Sequence, residues 1–132
     1  MLKITQDKER AKSIFGMIKE REKFVKNING NKFSTIIAEN YYEIIKELCT
    51  AIALTNGYKF IGENAHKELI DFMKNYNISE NELRMMDDLR VRRNKSSYEG
   101  KPIGQIYLDN KKEDLLTIIK KLKDIFGKEN EN

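Results

Sequence analysis

The residues best suited to chemistry lie in one short stretch of the sequence around residue 90. Four cationic side chains occupy six consecutive positions there, namely Arg90, Arg92, Arg93 and Lys95. Arginine presents planar, forked donors that match the oxygens of a phosphate, whereas lysine supplies a point charge. Neutral hydrogen-bonding groups accompany these cations at Asn94, Ser96, Ser97 and Tyr98. The combination is suited to a phosphodiester backbone or to a nucleotide.

The helix that carries this stretch has a well-marked beginning. Ser79 and Glu82 have the spacing of a capping box, in which each side chain accepts a hydrogen bond from the other residue's amide. The inner stripe of the helix starts with the apolar residues Leu83, Met86 and Leu89. Its predicted continuation is polar, through Arg90, Arg93, Asn94, Ser97 and Tyr98. Because burial of an unpaired guanidinium is unfavourable, these groups must meet partners, water or a ligand, and such a break is expected at functional sites.

Several of the cations also fit purely structural roles. Arg92 and Lys95 suit an exposed helix face, which is charged by default. Asp87 and Asp88 have the spacing that favours ion pairs with Arg90 and Arg92 along one helix. Arg90 could instead pair with an acidic residue of the second helix, Glu39, Glu43 or Glu47. The residues left as the functional part are Arg93, Asn94 and Tyr98.

Other reactive residue types are few. Cys49 lies in an apolar run and is expected to be a small core residue. His66, the single histidine, is expected to lie on an inner helix face as a hydrogen-bonded core residue. Tyr41 and Tyr42 are expected to split between core and surface. No cluster of carboxylates or cysteines predicts a metal site, and no cofactor is predicted.

Helices position these residues, because apolar side chains recur at helical rather than alternating spacing. Breaks such as Gly30-Asn31 and Gly100-Lys101-Pro102 separate the segments. We expect three helices over residues 7–28, 34–55 and 63–75, a fourth from Ser79 through the cationic stretch, and a fifth over 111–126. Gly127 can end the fifth helix. The predicted fold class is all-α, an antiparallel up-down bundle of four long helices plus a short one.

The composition agrees with one small helical domain. Of the 132 residues, 39% are hydrophobic and 35% are charged, and the single proline argues against a sandwich or barrel of many strands. We expect one bundle over residues 1–126 and a polar tail over 127–132. The net charge of +4 permits an anionic partner without requiring one. The single cysteine fits a reducing compartment. The sequence shows no secretory signal and no run of the ~20 apolar residues that cross a membrane. We therefore expect a cytoplasmic protein that is not embedded in a membrane.

The stretch from Leu89 to Tyr98, together with residues 66–70, resembles HEPN domains, which are small all-helical proteins of bacteria and archaea. Many HEPN domains are metal-independent ribonucleases of toxin–antitoxin or defence systems, and they bring two copies of a motif together in a dimer cleft. The motif is an arginine, usually followed by a polar residue, with a histidine a few positions further on. Arg93 and Asn94 match the first two positions, and Tyr98 stands where the histidine is expected.

This resemblance implies a homodimer that binds RNA or a nucleotide, with Arg93 and Tyr98 as the catalytic residues. Arg93 would hold the phosphate, and Tyr98 would take the place of the general acid or base. The implied binding residues are Arg90, Asn94, Lys95 and Ser97. A tyrosine with a pKa near 10 is a weaker base at neutral pH than a histidine with a pKa near 6.5.

Two other hypotheses follow from the same residues. The resemblance implies a nucleotidyltransferase-type antitoxin as a partner, which would make Tyr98 a target for modification. The alternative from a different class is a catalytically inactive interaction or structural homodimer. In that protein Arg90, Arg93 and Asn94 form a buried polar network that fixes the packing of the helices.

Overall fold

Apolar residues at helical spacing form five α-helices in a computed structural model that describes residues 1–28 and 32–131. In chain order the elements are β1 (Leu2–Lys3), α1 (Lys8–Asn27), α2 (Ser34–Thr55), β2 (Tyr58–Lys59), α3 (Ala65–Phe72), a 3₁₀ turn (Met73–Tyr76), α4 (Glu80–Glu99) and α5 (Gln105–Glu129). The predicted all-α fold class is confirmed. The predicted turn at Gly30-Asn31 and the terminal Asn132 lie outside the described residues. Within those residues, every helix falls short of the length or apolar character that crossing a membrane requires.

The central element is α2, which is apolar around most of its circumference, as a helix surrounded by others must be. Thirteen of its 22 residues are buried, and it packs against α1, α3, α4 and α5. Tyr41 and Tyr42 are both buried, so the prediction that one of them faces solvent is wrong. The reason is that other helices cover α2 on both faces to which these neighbouring side chains point.

Two helix starts follow from local capping, and the capping box predicted for α4 is confirmed. The Asp7 carboxylate accepts a hydrogen bond from the Arg10 amide at 3.1 Å and begins α1. Ser79 and Glu82 form the predicted capping box of α4, with hydrogen bonds of 3.1 and 2.9 Å. Glu82 also accepts a hydrogen bond from Lys121 Nζ on α5 at 2.8 Å. This cap therefore links the beginning of α4 to the last helix.

The last helix is longer than predicted at both ends. It begins at Gln105 instead of residue 111 and continues to Glu129. The prediction that Gly127 ends α5 is wrong, because the helix runs through this residue. The Asn130 amide group satisfies the end of the helix by donating to the Phe126 carbonyl at 2.8 Å and to Thr55 Oγ1 at 3.2 Å. The predicted polar tail over 127–132 therefore begins inside α5.

The connection between α4 and α5 holds the end of α4 beside the beginning of α2. Gly100 adopts a left-handed conformation with φ of +67°, which glycine tolerates, and closes α4. The Ile103 carbonyl then accepts hydrogen bonds from Ser34 Oγ at 2.8 Å and Thr35 Oγ1 at 3.2 Å, and its amide donates to Thr35 Oγ1 at 3.0 Å. As a result, the cationic half of α4 faces the first turns of α2.

A short antiparallel pairing of β1 with β2 was not predicted from the sequence. Leu2 pairs with Lys59 and Lys3 with Tyr58. Gly57 allows this close approach, because its φ is +81° and a Cβ there would lie 2.7 Å from the Ile4 carbonyl oxygen. The pairing fixes the segment between α2 and α3 against the start of the chain.

We predict that Ser79→Ala lowers the free energy of unfolding by about 1 kcal/mol, because the substitution removes the side-chain cap of α4. Urea denaturation monitored by circular dichroism measures the loss. Ser97→Ala, an exposed change on the same helix, is the control and should change stability by less than about 0.5 kcal/mol. Equal effects of the two substitutions would show that the capping box does not stabilise α4.

Candidate functional site

The inner face of α4 becomes polar where it meets α2. Arg93 lies on this face, and its Nη2 donates to Glu43 Oε1 of α2 at 3.2 Å. Its Nη1 lies 3.5 Å from Asn94 Oδ1, at the limit of a hydrogen bond. The Arg93 and Glu43 side chains are 25% and 18% exposed. The guanidinium is therefore held in place while part of it still reaches the surface.

Below this guanidinium lies the ring of Tyr42, which is fully buried. The Arg93 Cζ is 5.6 Å from the ring centroid, within the range of a cation–π interaction. The Tyr42 hydroxyl lies 3.3 Å from Nδ1 of His66, at the start of α3. Three helices therefore meet at one polar group of side chains, which we call the Arg93 cluster: Tyr42, Glu43, Lys46, His66 and Arg93.

Charges within the Arg93 cluster are closely coupled. Glu43 accepts from Arg93 through one oxygen and from Lys46 Nζ through the other, at 2.7 Å. Burial raises the pKa of Tyr42 to about 12, although the nearby Arg93 opposes this shift. Partial burial, with Lys46, Arg93 and Arg90 nearby, lowers the pKa of His66 from its ordinary value, against the effect of Glu43. His66 is therefore neutral at pH 7, and Tyr42 keeps its proton.

The hydrogen bond between Tyr42 and His66 indicates the imidazole tautomer. The Tyr42 side chain is buried, and His66 Nδ1 is the one hydrogen-bond partner of its hydroxyl among the described residues. Since a buried hydroxyl proton needs an acceptor, we assign Tyr42 as the donor to Nδ1, which places the proton of the neutral ring on Nε2. His66 was expected to be a hydrogen-bonded core residue. The hydrogen bond is present, but more than a third of the residue remains exposed.

Arg90 and Arg92 form the local ion pairs that their spacing predicts. Arg90 Nε donates to Asp87 at 2.8 Å, and Arg92 Nε donates to Asp88 at 2.9 Å. Arg92 also lies over the Tyr107 ring of α5, with 4.5 Å between Cζ and the ring centroid. The alternative partners considered for Arg90 bind other groups of the chain. Glu39, Glu43 and Glu47 pair with Ser96, Arg93 and Arg21, respectively.

The prediction that the inner stripe of α4 continues through Ser97 and Tyr98 is wrong, because both residues are exposed. The stripe passes from Arg93 to Ser96, whose hydroxyl donates to Glu39 of α2 at 3.2 Å. Tyr98 lies five residues beyond Arg93, about 140° around the helix, and is 80% exposed. Lys95 is also exposed. Within the chain, Arg93 comes together with residues of α2 and α3, Asn94 lies beside the Arg93 guanidinium, and Tyr98 points elsewhere.

The remaining sequence predictions concern metals and the cysteine. Among residues 1–28 and 32–131, no group of three or more His, Cys, Asp or Glu side chains is arranged to hold a metal ion. Cys49 is fully buried, and burial raises its thiol pKa to about 12, so it is the core residue that was expected. Sequence reasoning missed Lys46 as a member of the site. The available signal was a polar face on α2, formed by Glu39, Glu43 and Lys46 within an otherwise apolar helix.

Comparison with known proteins does not extend this description. No protein-family profile matches the sequence, and neither a curated protein nor a solved structure shows significant similarity to it. Functional inference therefore depends on the side chains themselves.

We predict that Arg93 and Glu43 stabilise the fold jointly, because their ion pair is largely shielded from solvent. A double-mutant cycle with Arg93→Ala and Glu43→Ala should give a favourable coupling of about 1 kcal/mol. The matched control is the Arg92 and Asp88 pair, whose side chains are 47% and 49% exposed. Its coupling should be about 0.5 kcal/mol or less. A coupling between Arg93 and Glu43 no larger than the control value would contradict this account.

We also predict a contribution of His66 to the pH dependence of stability. Its pKa is lower in the folded chain than the ordinary value of 6.5, so the unfolded chain takes up the proton first as the pH falls. The stabilisation is complete above pH 6.5 and decreases below it. The substitution His66→Gln removes this titration. It retains the charged or titratable neighbours of His66, which are Tyr42, Glu43, Lys46, Arg90 and Arg93. Thermal denaturation between about pH 7.5 and 5.5 should show a smaller loss for this variant than for the parent. Identical losses would contradict the prediction.

Proposed function

We propose that this protein binds RNA and that the Arg93 cluster holds a phosphate of the backbone. The observation that carries the proposal is the state of the Arg93 guanidinium, which is fixed by Glu43 and Tyr42 yet still a quarter exposed. Described residues engage two of its N–H groups, and an arginine has five to offer. A guanidinium fixed in this way can receive phosphate oxygens through its free edge with little loss of side-chain entropy.

Neighbouring groups favour an anion at the same place. Lys46 adds positive charge beside Arg93, and Arg90, although paired with Asp87, lies close enough to act on the same groups. The neutral His66 ring offers an Nε2–H donor, and Lys95 is exposed further along α4. Asn94 and Ser97 add neutral hydrogen-bonding groups on α4. The one carboxylate in the cluster, Glu43, is shared by Arg93 and Lys46, which leaves a local excess of positive charge.

The more specific form of the proposal is a HEPN-like homodimer in which two Arg93 clusters share a cleft. The bundle would have the antiparallel up-down arrangement predicted from the sequence, with four long helices and one short one. Tyr98 supports a dimer, because an 80% exposed tyrosine near the end of α4 can contact a partner protomer. Ile106, at the start of α5, is 77% exposed and extends the apolar surface available at this end of the molecule.

In such a cleft, the activity implied by the resemblance is metal-independent cleavage of RNA. The ribose 2′-oxygen attacks the adjacent phosphorus, its proton passes to a base, and the departing 5′-oxygen takes a proton from an acid. Arg93 would stabilise the negative charge on the phosphate, and Tyr98 of one protomer would act near the phosphate held by the other. A toxin–antitoxin or defence system, with a nucleotidyltransferase-type antitoxin as partner, is the setting that the resemblance suggests.

A second candidate function is an inactive interaction or structural protein. The observation that favours it is the ion pair between Arg93 and Glu43, which links α4 to α2 across fifty residues of sequence. A pair of this kind can serve helix packing without any ligand. RNA binding and stability therefore have to be measured on the same variants.

The test measures binding of a fluorescently labelled single-stranded RNA at low salt by anisotropy, with gel analysis for cleavage in the presence of EDTA. We predict that Arg93→Ala weakens binding about tenfold or more, because it removes a charged, forked phosphate contact. The matched control is Arg92→Ala, which removes the same charge one residue away. It should change affinity by about twofold or less, because Arg92 is engaged by Asp88 and Tyr107.

The outcomes separate the two functions. Binding that depends on Arg93 supports the RNA-binding proposal, and cleavage without metal that is lost in Tyr98→Phe supports the ribonuclease form. No binding of RNA by the parent at low salt and high protein concentration would overturn the RNA-binding proposal together with its ribonuclease form. If the parent binds no RNA and Arg93→Ala lowers the melting temperature or dissociates a dimer, the structural function is the correct one.

A further inference from the structure

A small pocket lies next to the Arg93 cluster, between α2, α3 and the segment around β2. Its volume is about 170 Å³. Pockets for drug-sized ligands have volumes of roughly 300–1,000 Å³, so this one fits a single ring system. Part of its lining is apolar and comes from Ala53, Leu54 and Leu69. A flat, weakly polar group is therefore the best match in size and chemistry.

The charged residues that line this pocket are all basic. They are Arg10, Lys46 and Lys59, and His66 lies with them, whereas no Asp or Glu of residues 1–28 and 32–131 lines the pocket. Among the described residues, Lys46 has an ion-pair partner, Glu43, and no ion pair involves Arg10 or Lys59. The pocket therefore carries an excess of positive charge that complements an anionic ligand.

Two aromatic rings give the pocket a surface for stacking. Tyr58 and Phe60 line it, and both pack against Phe72 of α3, with ring centroids 4.9 and 5.3 Å apart, respectively. These contacts restrain both rings before any ligand binds. Stacking on aromatic side chains is how proteins hold bases of single-stranded nucleic acids, whatever their sequence.

The pocket and the Arg93 cluster share two residues, Lys46 and His66. Lys46 lies three residues beyond Glu43, about 4.5 Å further along the axis of α2. His66 lines the pocket and also contacts the Tyr42 hydroxyl, beneath the Arg93 guanidinium. The pocket and the Arg93 cluster are thus neighbours that share Lys46 and His66.

We propose that this pocket binds the base of an RNA nucleotide whose phosphate lies at Arg93, with His66 at the junction between the two. The inference rests on the RNA binding proposed above and adds to it the place where a base is held. His66 donates through its Nε2–H towards the phosphate or the ribose, while Lys46 and Lys59 lie beside the backbone. The pocket is expected to accept different bases, because its recognition relies on stacking and charge.

The experiment compares a short single-stranded RNA with the same oligonucleotide carrying abasic positions. The parent should bind the RNA about tenfold more tightly, a ratio that corresponds to one stacked base. Ala65 also lines the pocket, so Ala65→Leu, which fills part of it, should abolish this preference while leaving the affinity for the abasic strand unchanged. Thr117→Leu, an exposed change on α5, serves as the control and should retain the preference.

The results distinguish failure of this inference from failure of RNA binding. If Arg93→Ala weakens binding of both strands but Ala65→Leu retains the preference for RNA, the pocket is not the base site, although the phosphate site stands. Equal affinity of the parent for the two strands would overturn the pocket in the same way. If the parent binds neither strand, the proposed function itself fails.

A second measurement needs no variant, because the chain has one histidine. The His66 Cε1–H signal can be followed by proton NMR while uridine monophosphate or inorganic phosphate is added at equal concentrations. The proposal predicts a saturable shift that is larger with the nucleotide, since the base is then held beside the imidazole. Equal shifts with both ligands, or no shift with either, would overturn it.

Discussion

The position of the Arg93 guanidinium on an inward helix face is the constraint on which the site depends. A guanidinium removed from water must find a partner, because an unpaired buried charge is strongly unfavourable. Glu43 supplies the opposite charge from α2, and the Tyr42 ring supplies a face on which the cation can lie. Both contacts join α4 to α2 and leave a quarter of the Arg93 side chain exposed. In the proposed complex, this exposed part is the anion site.

His66 belongs to the site because the packing of α3 against α2 places it there, and it is not part of the arginine motif on α4. The position at which the resemblance expects a histidine holds Tyr98, which points away from Arg93 of the same chain. His66 comes from α3 and reaches the same neighbourhood through the buried hydroxyl of Tyr42. Its low pKa and the proton assigned to Nε2 make it a neutral donor. In the proposed complex, His66 therefore positions the ligand, and proton transfer requires a group from elsewhere, such as Tyr98 of a partner.

Local features of the fold were predictable from the sequence, and features set by distant contacts were not. The capping box of α4 and the ion pairs of Arg90 and Arg92 depend on residues three or four positions apart, so spacing alone indicates them. The limits of α1 and α2 follow from the helical spacing of their apolar residues. The early start of α5 was missed because no side-chain cap marks it, although its first turn contains Ile106, Tyr107 and Leu108. The pairing of Arg93 with Glu43 depends on how two helices align, which helical periodicity does not specify. The pocket beside His66 depends in addition on the short β1–β2 pairing, for which the sequence has no strong signal.

The most direct test of the central claim is the salt dependence of RNA affinity for the parent and for Arg93→Gln. Each phosphate neutralised on a single strand contributes about 0.7 to the slope of log affinity against log salt concentration. A phosphate seated at Arg93 predicts a slope smaller by about this amount in Arg93→Gln, and an unchanged slope in Arg92→Gln. Equal slopes for the parent and Arg93→Gln would contradict the account, because they would show that RNA does not place a phosphate on Arg93.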